Sequence, residues 1–270
     1  MDTLVTLTVA VITSTTNPHV KRLRSLRDSA KERRGERSLL LEGVRLVAHA
    51  FAMGARPRLL LYAPAQLEAT PAGAALLAQL LDQPNCWPAS PVAVAAAAAT
   101  REPQGVVAAF AWPALSPRPG LRLVLDGIQD PGNLGALLRS AEAAGVGLVV
   151  CAPGCADLYN PKVLRAAMGA HFSLPLRSDP DWERLNDELA ASPLVYVADA
   201  QATQPYYTAD WRHAAALIIG SEAHGPSPPA RALATQALAI PMHGRAESLN
   251  AAVAGSILLF ESLRQRSSIV

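Results

Sequence analysis

The chain has 270 residues, enough for one large domain or two of ordinary size. Half of its residues are apolar and 17% are charged, which allows a sizeable buried core and excludes disorder over the whole length. Because the formal net charge is only +2, any strong preference for a charged partner has to come from a local segment.

The sequence predicts a soluble, cytoplasmic protein without a resident metal. No apolar run approaches the ~20 residues of a membrane-spanning helix, and the first 13 residues carry Asp2 without the basic start of a signal peptide. The three cysteines form no CxxC pair, which is typical of a reducing compartment. Zinc at Cys151 and Cys155 is disfavoured because two further ligands at suitable spacing are missing.

Basic residues are concentrated near the N-terminus. Residues 21–58 hold 11 Lys/Arg against 4 acids, whereas the rest of the chain holds 13 against 18. Such a basic segment predicts a polyanionic partner, most simply nucleic acid. On charge alone, a solvated helix face is an equal alternative. The residues predicted to contact RNA are Lys21, Arg22, Arg24 and Arg27.

The N-terminal elements alternate between helix and strand. The first helix begins with Asn17 as N-cap and Pro18 at the first helical position. A small α/β domain is predicted from this rhythm, and the linker composition of "WPALSPRPG" (112–120) places a domain boundary there. The predicted elements after the first helix are a strand at 38–43, a helix at 44–54, a strand at 58–63 and a small-residue helix at 92–100.

The C-terminal part repeats this rhythm with more strongly apolar strands, "LRLVLD", "GLVVCA", "LVYVAD", "ALIIG" and "LAIP". Continuous apolar strands alternating with helices predict a parallel sheet covered on both faces, and ligands of such sheets bind beyond the carboxyl ends of the strands. Turns rich in Gly and polar residues lie at 126–133, 220–227 and 241–250. No GxGxxG or P-loop follows a predicted strand, which disfavours a dinucleotide dehydrogenase, a Rossmann-type methyltransferase or a kinase.

Polar residues in and near these turns also have ordinary structural interpretations. Ser248 is predicted as the N-cap of a helix from Leu249 to Leu263, with Asn250 in its first turn. Arg139 is spaced to pair with Glu142 at i,i+3. Considered alone, Glu222 is an ordinary surface carboxylate and Gly220 an ordinary turn glycine.

Taken together and in order, these segments resemble the three motifs of the SpoU branch of the SPOUT methyltransferases, which methylate ribose 2′-hydroxyls in RNA. The segment "NPKVLRAAMGAHFSLPL" is also similar to the family, and the resemblance covers about 121–265. Upstream, "STTNPHVKRLRSL", "LLLEGVRLVAHAF" and "TREPQGVVAAF" are similar to the substrate-binding domain of ribosomal-RNA members. The motifs are "GNLGALLRSAEAAGV" with Asn133 and Arg139, "IIGSEAHG" with Glu222, and "IPMHGRAESLNAAVA" with Ser248 and Asn250.

The resemblance implies a two-domain α/β architecture. A small α/β RNA-binding domain spans 12–112, a linker 113–120, and a methyltransferase domain 121–270, while residues 1–11 form a tail. The parallel sheet of the methyltransferase domain is expected to carry a deep trefoil knot, which sequence rules alone do not propose because knots are nearly absent from proteins. Two subunits are expected to pack through this domain as a homodimer that completes each site.

The resemblance also implies S-adenosylmethionine as cofactor, bound in the knot. An adenine ring needs an apolar slot and exposed backbone amides, and the residues expected to supply them agree with that need. They are Ile219, Gly220, Ile240, Met242 and Leu249.

Arg139 is implied as the principal catalytic residue. The family is often described with this arginine as general base, but a guanidinium with a pKa above ~12 makes that role physically awkward. We expect Arg139 to stabilise the neighbouring phosphate and the developing alkoxide, and Glu222 to hold Arg139 in place. The backbone N–H groups of 132–135 are expected to bind a phosphate or ribose. Ribose and phosphate are oriented by Asn133, Ser248 and Asn250.

The predicted function is 2′-O-methylation of ribosomal RNA. The two-domain layout and the basic N-terminal segment favour 23S RNA as the substrate. Two alternatives remain open at this point: methylation of tRNA, and a non-catalytic RNA-binding protein that has kept the fold. The methylated nucleotide is not encoded in an obvious motif, because RNA recognition depends on shape and on unpaired bases.

Overall fold

The computed structural model describes residues 10–81, 83–178, 181–189, 192 and 194–267. It divides into two compact units, the first comprising the described residues up to Trp112 with Tyr159–Pro161, and the second comprising 113–158 and 162–267. Residues 1–9 of the predicted tail lie outside the described residues. None of the helices in the described part combines the length and apolar composition needed to cross a membrane.

The first unit is a four-stranded mixed sheet with six helices in its described residues. The sheet order is β1-β4-β2-β3, with β4 antiparallel to β1 and β2 and with β3 parallel to β2. The strands are β1 (Ser38–Glu42), β2 (Pro57–Tyr62), β3 (Cys86–Pro88) and β4 (Val106–Ala111). The helices are α1 (Pro18–Asp28), α2 (Ala30–Glu36), α3 (Val44–Ala52), α4 (Pro64–Glu68), α5 (Pro71–Leu80) and α6 (Pro91–Ala97).

Local signals explain how the helices of this unit begin and pack. Asn17 caps α1 as predicted, because its side-chain oxygen accepts a hydrogen bond from the His19 N–H at 2.8 Å. Ser90 caps α6 in the same way. Leu23 of α1 and Val94 of α6 are completely buried in one apolar cluster, so α1 and α6 pack together on the sheet.

The second unit is built on a six-stranded sheet that is parallel throughout, as the apolar strands predict. Its order is β10-β8-β9-β5-β6-β7, so β9 and β5 are central. The strands are β5 (Arg122–Leu125), β6 (Leu148–Cys151), β7 (Leu176–Ser178), β8 (Val195–Ala198), β9 (Ala216–Ile219) and β10 (Gln236–Leu238). The helices are α7 (Pro131–Ala143), α8 (Pro161–Ala166), α9 (Trp182–Leu189), α10 (Pro228–Leu233) and α11 (Ala251–Ser267), with 3₁₀ turns at Ala170–Phe172 and Tyr206–Thr208.

Close packing of α7 against α11 brings the first and third motifs together. A Cβ on Gly255 of α11 would lie 2.4 Å from Leu137 Cδ2, so this glycine lets the helices approach closely. Ser140 Oγ and Ser256 Oγ are 2.7 Å apart across the same contact. The trefoil knot implied by the resemblance stays a prediction.

Candidate active site

Three neighbouring strands, β10, β8 and β9, end at one cavity of 470 Å³. The cavity is also lined by the loop after β10 and by Ala251 and Ala254 of α11. Its volume lies within the range of small-molecule sites, and its position beyond the carboxyl ends of the strands is the usual one for this architecture. Every residue expected to contact the cofactor lines it, together with Glu222 and Ser248: Ile219, Gly220, Ile240, Met242 and Leu249.

The walls of this cavity combine apolar side chains with carboxylates. Leu238 adds to the apolar side, which suits a nucleoside base. The carboxylates of Asp199, Glu222 and Glu247 suit a ligand with positively charged groups. Arg231 pairs with Asp199 and offsets part of this negative charge. The set of groups fits S-adenosylmethionine, which joins a nucleoside to a sulfonium and an amino-acid group.

Backbone contacts hold the loop that follows β9 against the sheet. Ser221 and Gly225 exchange backbone hydrogen bonds of 3.1 and 2.9 Å, and Gly225 has the left-handed φ of +65° that favours glycine. Asp126, buried at the end of β5, accepts a hydrogen bond from the Ser227 N–H at 2.6 Å. A Cβ on Gly220 would lie 2.3 Å from the backbone of Gly225. These contacts fix the backbone of the loop that places the Glu222 carboxylate on the cavity wall.

The same loop forms a wall of a second cavity of 390 Å³. Glu222 lines both cavities, and the second one also contains Asp126, Gln129 and His224. Its lining is rich in hydrogen-bonding groups, so it suits a polar ligand. One loop thus separates two adjoining sites of similar size.

Asn133 joins the three motifs through its side-chain amide. Its Nδ2 donates to Glu222 Oε1 at 2.5 Å, and its Oδ1 accepts from Asn250 Nδ2 at 2.9 Å. Asn250 Oδ1 accepts in turn from the backbone N–H groups of Ala252 and Val253 at 2.9 and 3.2 Å. These bonds connect α7, the loop after β9 and the start of α11 beside the first cavity.

The helix of the third motif begins later than the sequence predicted. α11 starts at Ala251 instead of Leu249, and Asn250, not Ser248, accepts from its first N–H groups. The prediction of Ser248 as N-cap is therefore wrong, because the Asn250 amide reaches those N–H groups while Leu249 lines the cavity before the helix begins. Ser248 is exposed and also lines the cavity.

An aspartate that sequence reasoning missed caps the N-terminus of α7. Asp130 Oδ1 accepts from the Asn133 N–H at 2.8 Å, and the Asp130 backbone oxygen accepts from the Leu134 N–H at 3.0 Å. Two of the four N–H groups at 132–135, those of Asn133 and Leu134, are therefore already hydrogen-bonded within the chain. The expectation that this segment binds a phosphate or ribose stays a prediction. The carboxylate of Asp130 also opposes an approaching phosphate. The available signal was an aspartate directly before the proline at N1.

Arg139 lies on an exposed face of α7. Among the described residues its side chain has no hydrogen bond or ion pair, and Glu142 accepts instead from Ser173 Oγ at 3.2 Å. Within one chain, Glu222 bonds to Asn133, and the expected contact between Glu222 and Arg139 stays a prediction. The guanidinium is therefore available to a group outside this chain.

Two of the cations predicted to contact RNA hold the end of a helix instead. Arg24 Nε donates to the Ala96 backbone oxygen at 3.3 Å, and Arg27 Nη1 donates to the same oxygen at 3.2 Å. Arg27 Nη1 also donates to the Ala98 oxygen at 2.7 Å. Cationic groups at a helix C-terminus satisfy its free carbonyls and complement its dipole. Part of the basic excess near the N-terminus therefore stabilises the end of α6.

The other two predicted RNA contacts remain at the surface. Lys21 and Arg22 are both exposed. Arg22 Nη2 pairs with Glu36 Oε2 at 2.6 Å, but the Arg22 side chain is still 53% exposed. These two side chains are the ones of the predicted set that remain open to a polyanion.

Two thiols lie behind the turn that leads into α7. Cys155 Sγ donates to the Leu125 backbone oxygen at 3.1 Å and accepts from the Ile128 N–H at 3.3 Å. A hydrogen bond between the two thiols lowers the pKa of Cys155 and raises the pKa of the buried Cys151. The described part of the chain contains no group of three or more His, Cys, Asp or Glu suited to a metal ion.

Two family models match the chain. The SpoU rRNA Methylase family matches residues 120–260. The MRM3-like substrate binding domain matches residues 17–108. The two matches fall on the two halves of the chain that contain the cavity and the basic segment, respectively.

Relatives extend over most of the chain. An uncharacterised tRNA/rRNA methyltransferase of Synechocystis sp. is 37% identical over 264 residues, which is 96% of this chain and 95% of that protein. The 23S rRNA (guanosine(2553)-2′-O)-methyltransferase RlmP of Bacillus subtilis is 37% identical over 180 residues, 65% of this chain and 71% of that protein.

A solved structure with bound cofactor has the same fold. The SpoU methyltransferase AviRb of Streptomyces viridochromogenes, in complex with AdoMet, aligns with a TM-score of 0.81 at 29% identity. The alignment covers 93% of this chain and 99% of AviRb. With its family match over 120–260 and a relative that spans nearly its whole length, the chain belongs to the SpoU rRNA methylase family.

Proposed function

We propose that this chain transfers a methyl group from S-adenosylmethionine to a ribose 2′-hydroxyl of RNA, with 23S ribosomal RNA as the substrate. The observation that carries the proposal is the Asn133 network, which joins three family motifs beside a cavity suited to the methyl donor. The activity in the name of RlmP and the substrate-binding match over 17–108 favour ribosomal RNA over tRNA. A ribosomal substrate agrees with the cytoplasmic location expected from the sequence.

The proposed reaction needs a held donor and an aligned acceptor oxygen. When bound, S-adenosylmethionine supplies an electrophilic methyl carbon on a positively charged sulfur. Apolar residues of the first cavity hold the nucleoside, and Glu222 on its wall stabilises positive charge nearby. The second cavity takes the acceptor nucleotide, because it adjoins the first and shares Glu222. Asn133 orients Glu222 through its 2.5 Å hydrogen bond.

Arg139 stabilises the charge that develops on the acceptor. A guanidinium remains protonated throughout the physiological range, so Arg139 does not accept the hydroxyl proton. Its planar donors instead hold the adjacent phosphate and the forming alkoxide, while the hydroxyl proton passes to water. Arg139 is exposed and lines neither cavity of its own chain. This role therefore requires Arg139 of one subunit to reach the acceptor site of a second subunit.

A homodimer through the second unit supplies that geometry. Val253 and Phe260 of α11 are seven residues apart, so they lie on one helix face, and they are 49% and 48% exposed. An apolar pair on the helix that packs against α7 suits contact with a second copy. The dimer would carry Arg139 of one subunit to the cavities of the other. Sedimentation showing only monomer in an active preparation at micromolar concentration would contradict this arrangement.

Single-turnover methyl transfer at saturating RNA tests the role of Arg139. Arg139→Ala is expected to lower the rate about a hundredfold or more, as loss of a group that stabilises developing charge does. Arg139→Lys is expected to restore little, because an ammonium lacks the two-pronged donor geometry. Calorimetric titration is expected to give parent affinity for S-adenosylmethionine in both variants. A variant that methylates near the parent rate would show that Arg139 is not catalytic.

Mixed dimers test whether Arg139 acts across the subunit contact. Arg139→Ala and Glu222→Gln chains are each expected to be nearly inactive alone. After mixing with subunit exchange, symmetry predicts about a quarter of parent activity, since half the dimers contain one site with both native residues. No recovery after verified exchange would place Arg139 and Glu222 in the same-chain site and contradict the proposal.

A further inference from the structure

An aromatic pair lies at the surface of the first unit. The rings of His19 and Trp87 are stacked, with centroids 5.2 Å apart and an interplanar angle of 20°. His19 is in the first turn of α1, and Trp87 is the middle residue of β3. The stack fixes the indole ring in one orientation and holds it against a helix.

Trp87 remains open to solvent although one of its faces is covered. Its side chain belongs to the exposed large apolar residues of the unit, with 37% exposure. β3 is the last strand of its sheet, so the ring stands at a sheet edge. A large indole that already stacks on one ring and keeps part of its surface accessible is an arrangement in which a second planar group can join the stack.

Positive charge accompanies this aromatic pair. Arg22 lies three residues after His19, which places it next to His19 on the surface of α1. Arg22 pairs with Glu36 at 2.6 Å, yet its side chain is still 53% exposed. Unlike Arg24 and Arg27, it is not bonded to the end of α6. The partner that matches a planar stacking surface with an adjacent cation is a nucleobase with its phosphate.

We propose that His19 and Trp87 form a stacking platform for an unpaired base of the substrate RNA, with Arg22 contacting a flanking phosphate. Aromatic side chains bind unpaired bases by stacking, and the interaction tolerates any base because every base has a π-face. The platform would give affinity for exposed bases without selecting the methylated nucleotide. The inference rests on the proposed function only in taking RNA as the ligand.

Binding of a labelled single-stranded RNA of about 12 nucleotides to the full-length chain tests the platform, since stacking proteins occupy sites of that size. Trp87→Leu is expected to weaken binding at least fivefold, whereas Trp87→Phe retains most of it because a ring remains. The matched control is Leu81→Ala, which truncates an apolar side chain of the same unit that is 67% exposed. It is expected to bind RNA as the parent does.

Tryptophan fluorescence gives a second measurement that does not require Trp87→Leu to fold. Titrating the RNA is expected to quench the parent emission, and Trp87→Phe is expected to lose that part of the quenching while Trp112, Trp182 and Trp211 remain. Equal RNA affinity of parent and Trp87→Leu, or equal quenching in parent and Trp87→Phe, would overturn the platform. An RNA that binds neither protein would overturn it as well.

A methyl-transfer assay on the same proteins separates this inference from the proposed function. RNA binding that depends on Trp87 without any methyl transfer by the parent would contradict the function and leave the platform standing. Methyl transfer with RNA affinity unaffected by Trp87 would contradict the platform alone. Affinity for S-adenosylmethionine is expected to be the same in all three variants.

Discussion

Gly220→Ala is the smallest change that disturbs the site through the backbone. Its new Cβ would lie 2.3 Å from both Gly225 C and Pro226 N, and 2.5 Å from Gly225 O. Ordinary carbon contacts are about 3.5 Å, so the loop after β9 has to move by roughly 1 Å. Backbone atoms cannot rotate away as the end of a side chain can. Overpacking of this kind costs about 1–3 kcal/mol of unfolding free energy.

The displaced loop carries two contacts on which the cavity wall depends. One is the 2.6 Å hydrogen bond from the Ser227 N–H to Asp126, and the other is the 2.5 Å hydrogen bond from Asn133 to Glu222. Each hydrogen bond of this type contributes about 1 kcal/mol net. Weakening of both is expected to lower affinity for S-adenosylmethionine about tenfold or more.

Calorimetric titration of S-adenosylmethionine, with thermal unfolding of the same samples, measures the two effects of Gly220→Ala separately. Gly244→Ala is the matched control, because a Cβ there has nothing within 4 Å and the residue does not line the cavity. The control is expected to bind and unfold like the parent. If Gly220→Ala binds S-adenosylmethionine with parent affinity, the loop does not form the cofactor site.

Three further predictions concern other parts of the chain. Arg27→Ala removes the hydrogen bonds to the end of α6 and is expected to lower the free energy of unfolding by about 1–3 kcal/mol in urea titrations. Lys21→Ala is expected to leave the free energy of unfolding unchanged and to reduce the salt dependence of RNA affinity by the equivalent of about one phosphate contact. A loss of stability in Lys21→Ala with none in Arg27→Ala would contradict both roles. Cys155 is expected to react with iodoacetamide faster than Cys86 at about pH 8, because a neighbouring thiol lowers the pKa of Cys155 whereas burial raises the pKa of Cys86 to about 11; peptide mass spectrometry showing equal or reversed rates would refute this order. Burial lowers the pKa of His171 from its ordinary value of 6.5 to about 4. As the pH falls, the unfolded chain therefore protonates His171 before the folded chain does, and the free energy of unfolding decreases from about pH 6.5 towards pH 4. His171→Gln is expected to flatten this part of the stability–pH curve, and an unchanged slope would contradict the burial of a neutral His171.

The parallel sheet was predictable because its central strands are continuous apolar runs. "LRLVLD", "GLVVCA", "LVYVAD" and "ALIIG" correspond to β5, β6, β8 and β9. β7 was missed and β10 was placed two residues late, because each has only three residues and such a segment has no resolvable period. β3 and β4 of the first unit were also missed. β3 is equally short, and β4 consists largely of alanine and valine.

The residues proposed to bind the cofactor could be chosen only through the resemblance, since no composition rule singles out Met242 or Leu249; the structure places them on the wall of one cavity. The capping error has a physical cause: both Ser248 and Asn250 are good N-caps, and the choice depends on Asn133, which lies 117 residues upstream of Asn250. Local patterns do not contain that contact.

Charge counting did not discriminate among the basic residues predicted to contact RNA. It treats all basic residues alike, whereas the structure separates Arg24 and Arg27, bonded to helix carbonyls, from the exposed Lys21 and Arg22. Sequence patterns also gave no sign of Trp87, because a single tryptophan in a three-residue strand forms no recognisable pattern. Its stacking partner is 68 residues away in sequence and is brought to it by the packing of α1 near the sheet edge.

Labelled methyl transfer followed by nucleoside analysis tests the central claim most directly. Unmodified 23S RNA is incubated with the chain and methyl-labelled S-adenosylmethionine, then digested to nucleosides and separated. The account predicts label in a single 2′-O-methylated nucleoside, at a level that falls about a hundredfold or more with Arg139→Ala. Label in a methylated base, or no label with a chain that binds both S-adenosylmethionine and the RNA, would contradict it.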